Sequence, residues 1–202
     1  MRRRRLLHAG ALSATLATAG CVGSVQRAIS GSVFPRYSHN SLHRADEPVV
    51  RGGLDADSDA WTAGRLVTEP PTDPVFVDDD GEDGGFTADF EGVDFEREFA
   101  LAFEVRSTPD DPYRVLAGAA SSADPRWTGW SELTLPLQYY ADDSLEAGLA
   151  DADELVCTLF AQYETRPEER PLRVKPTRAT VELYDEEGGR RGGTTTVTAG
   201  DD

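Results

Sequence analysis

Lysine is almost absent from this chain: Lys175 is the only one among 202 residues. Histidine (His8, His39, His43), cysteine (Cys21, Cys157) and methionine (Met1) are nearly as rare. Two cysteines cannot make the multi-bridge framework that staples small secreted domains. The scattered Arg residues of the body form no basic patch, which argues against nucleic-acid binding, because that affinity comes mainly from Lys and Arg neutralising phosphates. No apolar run approaches the ~20 residues a membrane-spanning helix needs. The Gly-x-Ser-x-Gly elbow, phosphate loop, dinucleotide fingerprint and zincin helix are all missing. These absences point to a protein that is not an enzyme and carries no cofactor.

What the chain has instead is acid. Asp and Glu number 37 against 20 Lys and Arg, for a net charge of −17. Self-repulsion at such a charge strains a compact fold in dilute buffer. At about 1 M salt the Debye length falls to ~3 Å and most of the repulsion disappears. Dense apolar stretches set the chain apart from acidic disordered proteins. Cys157 sits in one of them, Glu154-Leu155-Val156-Cys157-Thr158-Leu159-Phe160, where a free thiol behaves as a small hydrophobe.

The first residues, Met1 to Leu7, are a basic head, and Ala9 to Ala19 is a modestly apolar run too short to span a membrane. Arg3-Arg4-Arg5-Leu6-Leu7 resembles the twin-arginine export consensus, with Arg3 and Arg4 as the pair. Ala19-Gly20-Cys21 resembles the end of a lipobox, although Thr18 stands where that motif usually has Leu. The resemblance implies a signal peptide over 1–20, a diacylglyceryl chain on Cys21, and residence on the outer face of the cytoplasmic membrane. Membrane lipid, through Cys21, is then one partner, and an unidentified envelope component the other. Cleavage removes Arg2–Arg5 and leaves the mature chain at −21. This acidity and the shortage of lysine resemble proteins of extreme halophiles, and the whole is similar to exported lipoproteins of haloarchaea.

Residues 22–45 contain no acid and include Arg27, Arg36 and Arg44, so 21–45 reads as a lipidated cysteine with a flexible basic tether. An acidic body over 46–188 follows, with a polar tail over 189–202. In the body Phe99, Leu101, Phe103 and Val105 alternate at period two, as do Leu133, Leu135, Leu137 and Tyr139. Leu155, Cys157, Leu159, Ala161 and Tyr163 repeat the device with Val156 and Phe160 on the other side, which predicts a central strand covered on both faces. Ala179, Val181 and Leu183 form a further run, and Thr62–Val67, Tyr113–Ala117 and Thr194–Thr198 are weaker strands. Asp142–Asp153 has a helix-like pattern. The expected fold is mainly β, an antiparallel sandwich of immunoglobulin-like architecture.

Four sets of residues are candidate sites. Trp127-Thr128-Gly129-Trp130 puts two aromatics around a glycine, a possible platform for a sugar or peptide if both are exposed. His39 and His43 could share a metal, but no third ligand lies near them in the sequence. The run Asp78-Asp79-Asp80-Gly81-Glu82-Asp83-Gly84-Gly85 is rich in carboxylates, yet Phe76 and Thr87 occupy the ends a calcium loop needs. Asp55, Asp57 and Asp59 alternate in the same acidic manner. With both mature histidines in the tether, a Ser-His-Asp or Cys-His arrangement has no histidine in the body to use. The expected function is non-enzymatic binding or scaffolding by a membrane-anchored domain. Ligand or metal capture is the alternative, and a hydrolase with a carboxylate site the third reading.

Overall fold

The computed structural model describes residues 31–77, 85–118, 123–166 and 174–200. They form two packed sheets. The first has the order β1-β7-β3-β2, from β1 (Ser32–Arg44), β7 (Leu155–Arg166), β3 (Glu98–Ser107) and β2 (Thr62–Val67), antiparallel throughout. The second has the order β4-β6-β8-β9, from β4 (Tyr113–Ala117), β6 (Glu132–Ala141), β8 (Arg178–Tyr184) and β9 (Arg190–Thr198), with the short β5 (Arg126–Trp127) beside β6. The protein is a mainly β sandwich, as the strand count predicts.

One pair departs from antiparallel order. Strands β6 and β8 run parallel, because between them the chain crosses to the first sheet, makes the single strand β7, and crosses back. Alternation at period two fills the space between the sheets. Phe99, Leu101, Phe103 and Val105 of β3 meet Leu133, Leu135 and Leu137 of β6 and Val181 of β8, all at 1% exposure or less. The thiol of Cys157 lies among them and is pushed up to about 12 by burial.

The first sheet is also covered outside, as the apolar residues on both sides of β7 predict. Its outer face carries Ala100, Ala102 and Phe160 beneath Val50, Val75, Phe76 and Val93 from the connections. A short helix, α1 (Gly85–Glu91), adds Phe86, stacked on Phe76 with ring centroids 5.1 Å apart. α1 is the helix among the described residues. Asp142–Asp153, expected to be helical, is a series of turns, opened by Asp142 accepting from the Ser144 N–H at 3.1 Å. Such local side-chain bonding competes with a helix.

The tether and the polar tail need correction, the tail only outside Thr194–Thr198, which the pattern already predicts as a strand. Ser32–Arg44 is not tether but the longest strand, paired with β7 along its length. A bulge between Pro35 and Tyr37 shifts its phase. Val33 before the bulge and Leu42 after it both reach the core, although one position is odd and the other even, so no period-two signal survives. Arg36 and Arg44 belong to the sheet and pair with Glu98 and Asp46. The tail is likewise an edge strand. Arg190–Thr198 pairs with β8 and looks polar because Val197 is its one residue in the core.

Candidate functional site

The two tryptophans do not form a platform. Trp127 is 5% exposed, and its indole N–H donates to the Gly31 carbonyl at 3.0 Å. Trp130 is 55% exposed on the adjoining turn, where the Thr128 N–H donates to the Glu132 carbonyl. The turn sends one ring into the core and the other to solvent.

His39 and His43 share the outer face of β1, four residues or about 13 Å apart along a strand, and each has its own partner. His39 Nδ1 meets Asp89 of α1 at 2.6 Å, and its ring stacks on Phe86. No group of three or more His, Cys, Asp or Glu is arranged to hold a metal among the described residues. Asp55 accepts the Asp57 N–H at 3.1 Å within a turn. The acidic run 78–84 lies outside the described residues.

His43 corrects the expectation that the body lacks a histidine, since β1 carries it into the fold. Its Nε2 lies 2.8 Å from Thr158 Oγ1, which lies 3.0 Å from Glu104 Oε1, while Glu104 Oε2 accepts the Leu54 N–H at 2.6 Å. The other ring nitrogen faces the Arg44 carbonyl at 3.0 Å and must carry hydrogen. Every contact is then satisfied only with one shared proton. It rests on Glu104, with Thr158 donating to a neutral imidazole, or on His43, with Thr158 donating to a carboxylate. Burial raises the Glu104 carboxyl above its ordinary value and lowers the His43 imidazole below its own, which favours the first arrangement. Thr158 is fully buried between acid and base, so no substrate reaches its hydroxyl. This chain clamps the 50–54 turn to the sheet. A hollow of about 270 Å³ lies over Glu104, but the carboxyl is already committed on both oxygens.

The larger concavity, about 520 Å³, opens where Trp61, Tyr113, Tyr139, Asp111 and Arg191 converge. Trp61 precedes β2, Tyr113 begins β4, Tyr139 is near the end of β6, and Arg191 is near the start of β9. Sequence periodicity links none of these positions. Tyr113 and Tyr139 are diagonal neighbours on adjacent strands, edge to face with centroids 5.6 Å apart.

The walls are fixed before any ligand arrives. The Tyr113 hydroxyl donates to the Arg106 carbonyl. The Arg106 guanidinium donates to the Asp55, Ser58 and Ala60 carbonyls at 2.8, 2.7 and 3.2 Å, pinning the loop that carries Trp61. Arg191 lies over the Tyr139 ring, 5.8 Å from its centroid, and is held by Asp185 at 3.3 Å. Gly192, at φ +66, lets the β9 backbone lie against the Trp61 ring, where a Cβ would come within 3.0 Å of it. Trp61 still keeps 44% of its surface exposed. Burial raises the hydroxyls of Tyr113 and Tyr139 above the ordinary phenol value, so both remain donors. An apolar hollow with a few fixed polar groups is the usual form of a small-molecule site.

No protein-family model, curated protein or solved structure matches the chain. No helix among the described residues is long and apolar enough to cross a membrane.

Proposed function

We propose that this protein is an exported, lipid-anchored binding protein of a halophile, working on the outer face of the cytoplasmic membrane without enzymatic activity. The aromatic cleft at Trp61, Tyr113 and Tyr139 is its ligand site. The observation that carries this reading is the cleft's position. β1 pairs with β7 from Ser32↔Arg166 to Arg44↔Leu155, and Leu155 pairs with Ser107 of β3, next to the Trp61 and Tyr113 end. Gly31 lies at the opposite end, against Trp127. A 13-residue strand at ~3.3 Å per residue spans roughly 40 Å. Gly31 thus lies at the pole opposite the cleft, which suits an anchor upstream of it and a ligand site left open to the exterior.

The signal-like residues 1–20, with Arg3 and Arg4, supply the route out, and two acyl chains on Cys21 suffice for stable attachment. The acidic body suits multimolar salt. The test is fractionation of cells making the Cys21→Ser protein. The variant is expected in the external soluble fraction with the wild type on membranes, and continued attachment of the variant refutes the anchor.

A further inference from the structure

We infer that the cleft takes a neutral saccharide, one ring stacked on Trp61 and its hydroxyls bridging Asp111 and Arg191. This rests on the reading that the cleft is the ligand site, and it deepens that reading by chemical class.

The fixed charges argue by elimination. A cation is drawn to an open aromatic face, but Arg191 already covers the face of Tyr139, held there by Asp185. An incoming cation would meet that guanidinium inside the cleft. An anion would meet Asp111, which lines the same hollow. Strong salt screens the long-range field of the domain, but charges a few ångströms apart are screened much less.

The shape selects among the uncharged and zwitterionic ligands that remain. A quaternary-ammonium cage needs several ring faces turned toward one point. Here Tyr113 and Tyr139 stand edge to face at 63°, and Trp61 is backed by the Gly192 backbone. What is left is one flat apolar surface bordered by a carboxylate, a guanidinium and the Tyr139 hydroxyl. A sugar ring presents the complement, with C–H groups on its face and hydroxyls around its edge that both donate and accept. Asp111 only accepts and Arg191 only donates, so a pair of ring hydroxyls serves both. The cleft volume of about 520 Å³ accommodates more than one such ring.

The experiment uses the full chain carrying Cys21→Ser, in multimolar KCl, with cellohexaose, mannohexaose, N-acetylchitohexaose and glycine betaine as probes. Binding is read by calorimetry and tryptophan emission. The expected result is 1:1 binding of at least one oligosaccharide, weakened at least tenfold by Trp61→Ala, partly restored by Trp61→Phe and untouched by Trp130→Ala. Gly192→Val, which crowds the Trp61 ring, should weaken it too. Oligosaccharide binding indifferent to Trp61→Ala overturns the inference. If betaine alone binds and perturbs Trp61, the saccharide assignment fails while the cleft stands as a ligand site. If no probe binds or changes the Trp61 emission of a folded protein, the saccharide assignment and the ligand-site reading both fail.

Discussion

Along β3 and β7 both faces of the first sheet are buried, and the two are differently made. On the inner face Phe99, Leu101, Phe103 and Val105 of β3 lie beside Leu155, Cys157, Leu159 and Ala161 of β7, all apolar and within 1% of complete burial. On the outer face Glu98, Glu104, Thr158 and Gln162 share the same strands with Ala100, Ala102, Val156 and Phe160, and none is more than 8% exposed. The inner face is held chiefly by contact area, with the Val115 N–H donating to Cys157 Sγ at 3.4 Å. The outer face depends on hydrogen-bond partners supplied by β1 and the loops, so its stability is conditional on partners and on proton count.

Substitutions should separate the two faces. Phe103→Ala removes a fully buried ring from the inner face and is expected to cost about 3–5 kcal/mol in urea unfolding at high salt. An inner face as tolerant as a surface would show less than about 1 kcal/mol. Glu104→Ala, which leaves the Leu54 N–H and Thr158 hydroxyl without their partner, is expected to cost about 2–3 kcal/mol.

Glu104→Gln is the sharper probe. The amide copies a protonated carboxyl, giving a donor to Thr158 and an acceptor to Leu54, and should cost less than about 1 kcal/mol. A loss as large as that of Glu104→Ala would mean that the carboxyl is ionised and the shared proton lies on His43. The two groups also oppose each other in pH. Glu104, raised in the fold, contributes stability that is full below its ordinary value of 4.5 and declines as pH rises toward its folded value. His43, lowered in the fold, contributes stability that is full above its ordinary value of 6.5 and declines as pH falls toward its folded value. In Glu104→Gln, the decline with rising pH above about 4.5 should flatten, and that with falling pH below about 6.5 should remain. Unchanged slopes on both sides would dissociate this chain from the pH response.

Salt gives the gentlest test. Acids such as Asp46, Glu47, Asp55, Asp57 and Asp59 crowd the covering loops, and their repulsion grows as salt is withdrawn. Short of the global loss of structure expected by ~0.1 M salt in circular dichroism, hydrogen exchange should quicken first at the Leu54 and Val77 amides and last at those of β3 and β6. Uniform exchange, or a spectrum unchanged down to ~0.1 M salt, would contradict a salt-dependent outer layer.

The same contrast explains which features were legible in the sequence. Strands β3, β6 and β7 announced themselves because at least four successive alternate residues on one face of each are apolar or aromatic, as Phe99, Leu101, Phe103 and Val105 are in β3. Strand β1 did not, because its bulge swaps the phase midway and Tyr37, His39, Ser41 and His43 look like solvent-facing residues until their covering is known. With β1 misread, His43 was missing from the body and its chain to Glu104 could not be foreseen. The cleft was harder still, since Trp61, Tyr113, Tyr139 and Arg191 come from four strand ends joined only by the sandwich. Trp127 and Trp130 were neighbours in sequence, and the turn between them divided their fates. The helix α1 has seven residues, too few to build a periodic signal.

The pairing of β1 with β7 also has a mechanical side. Tension between the Gly31 end of the sandwich and the cleft end would run along β1. Its hydrogen bonds to β7 lie across that direction, so the ladder is loaded in shear and its bonds share the force rather than opening one at a time. Twelve residue pairs stand in that register, from Ser32↔Arg166 to Arg44↔Leu155. If the anchor and the cleft act as proposed, a pull between them is borne along this strand.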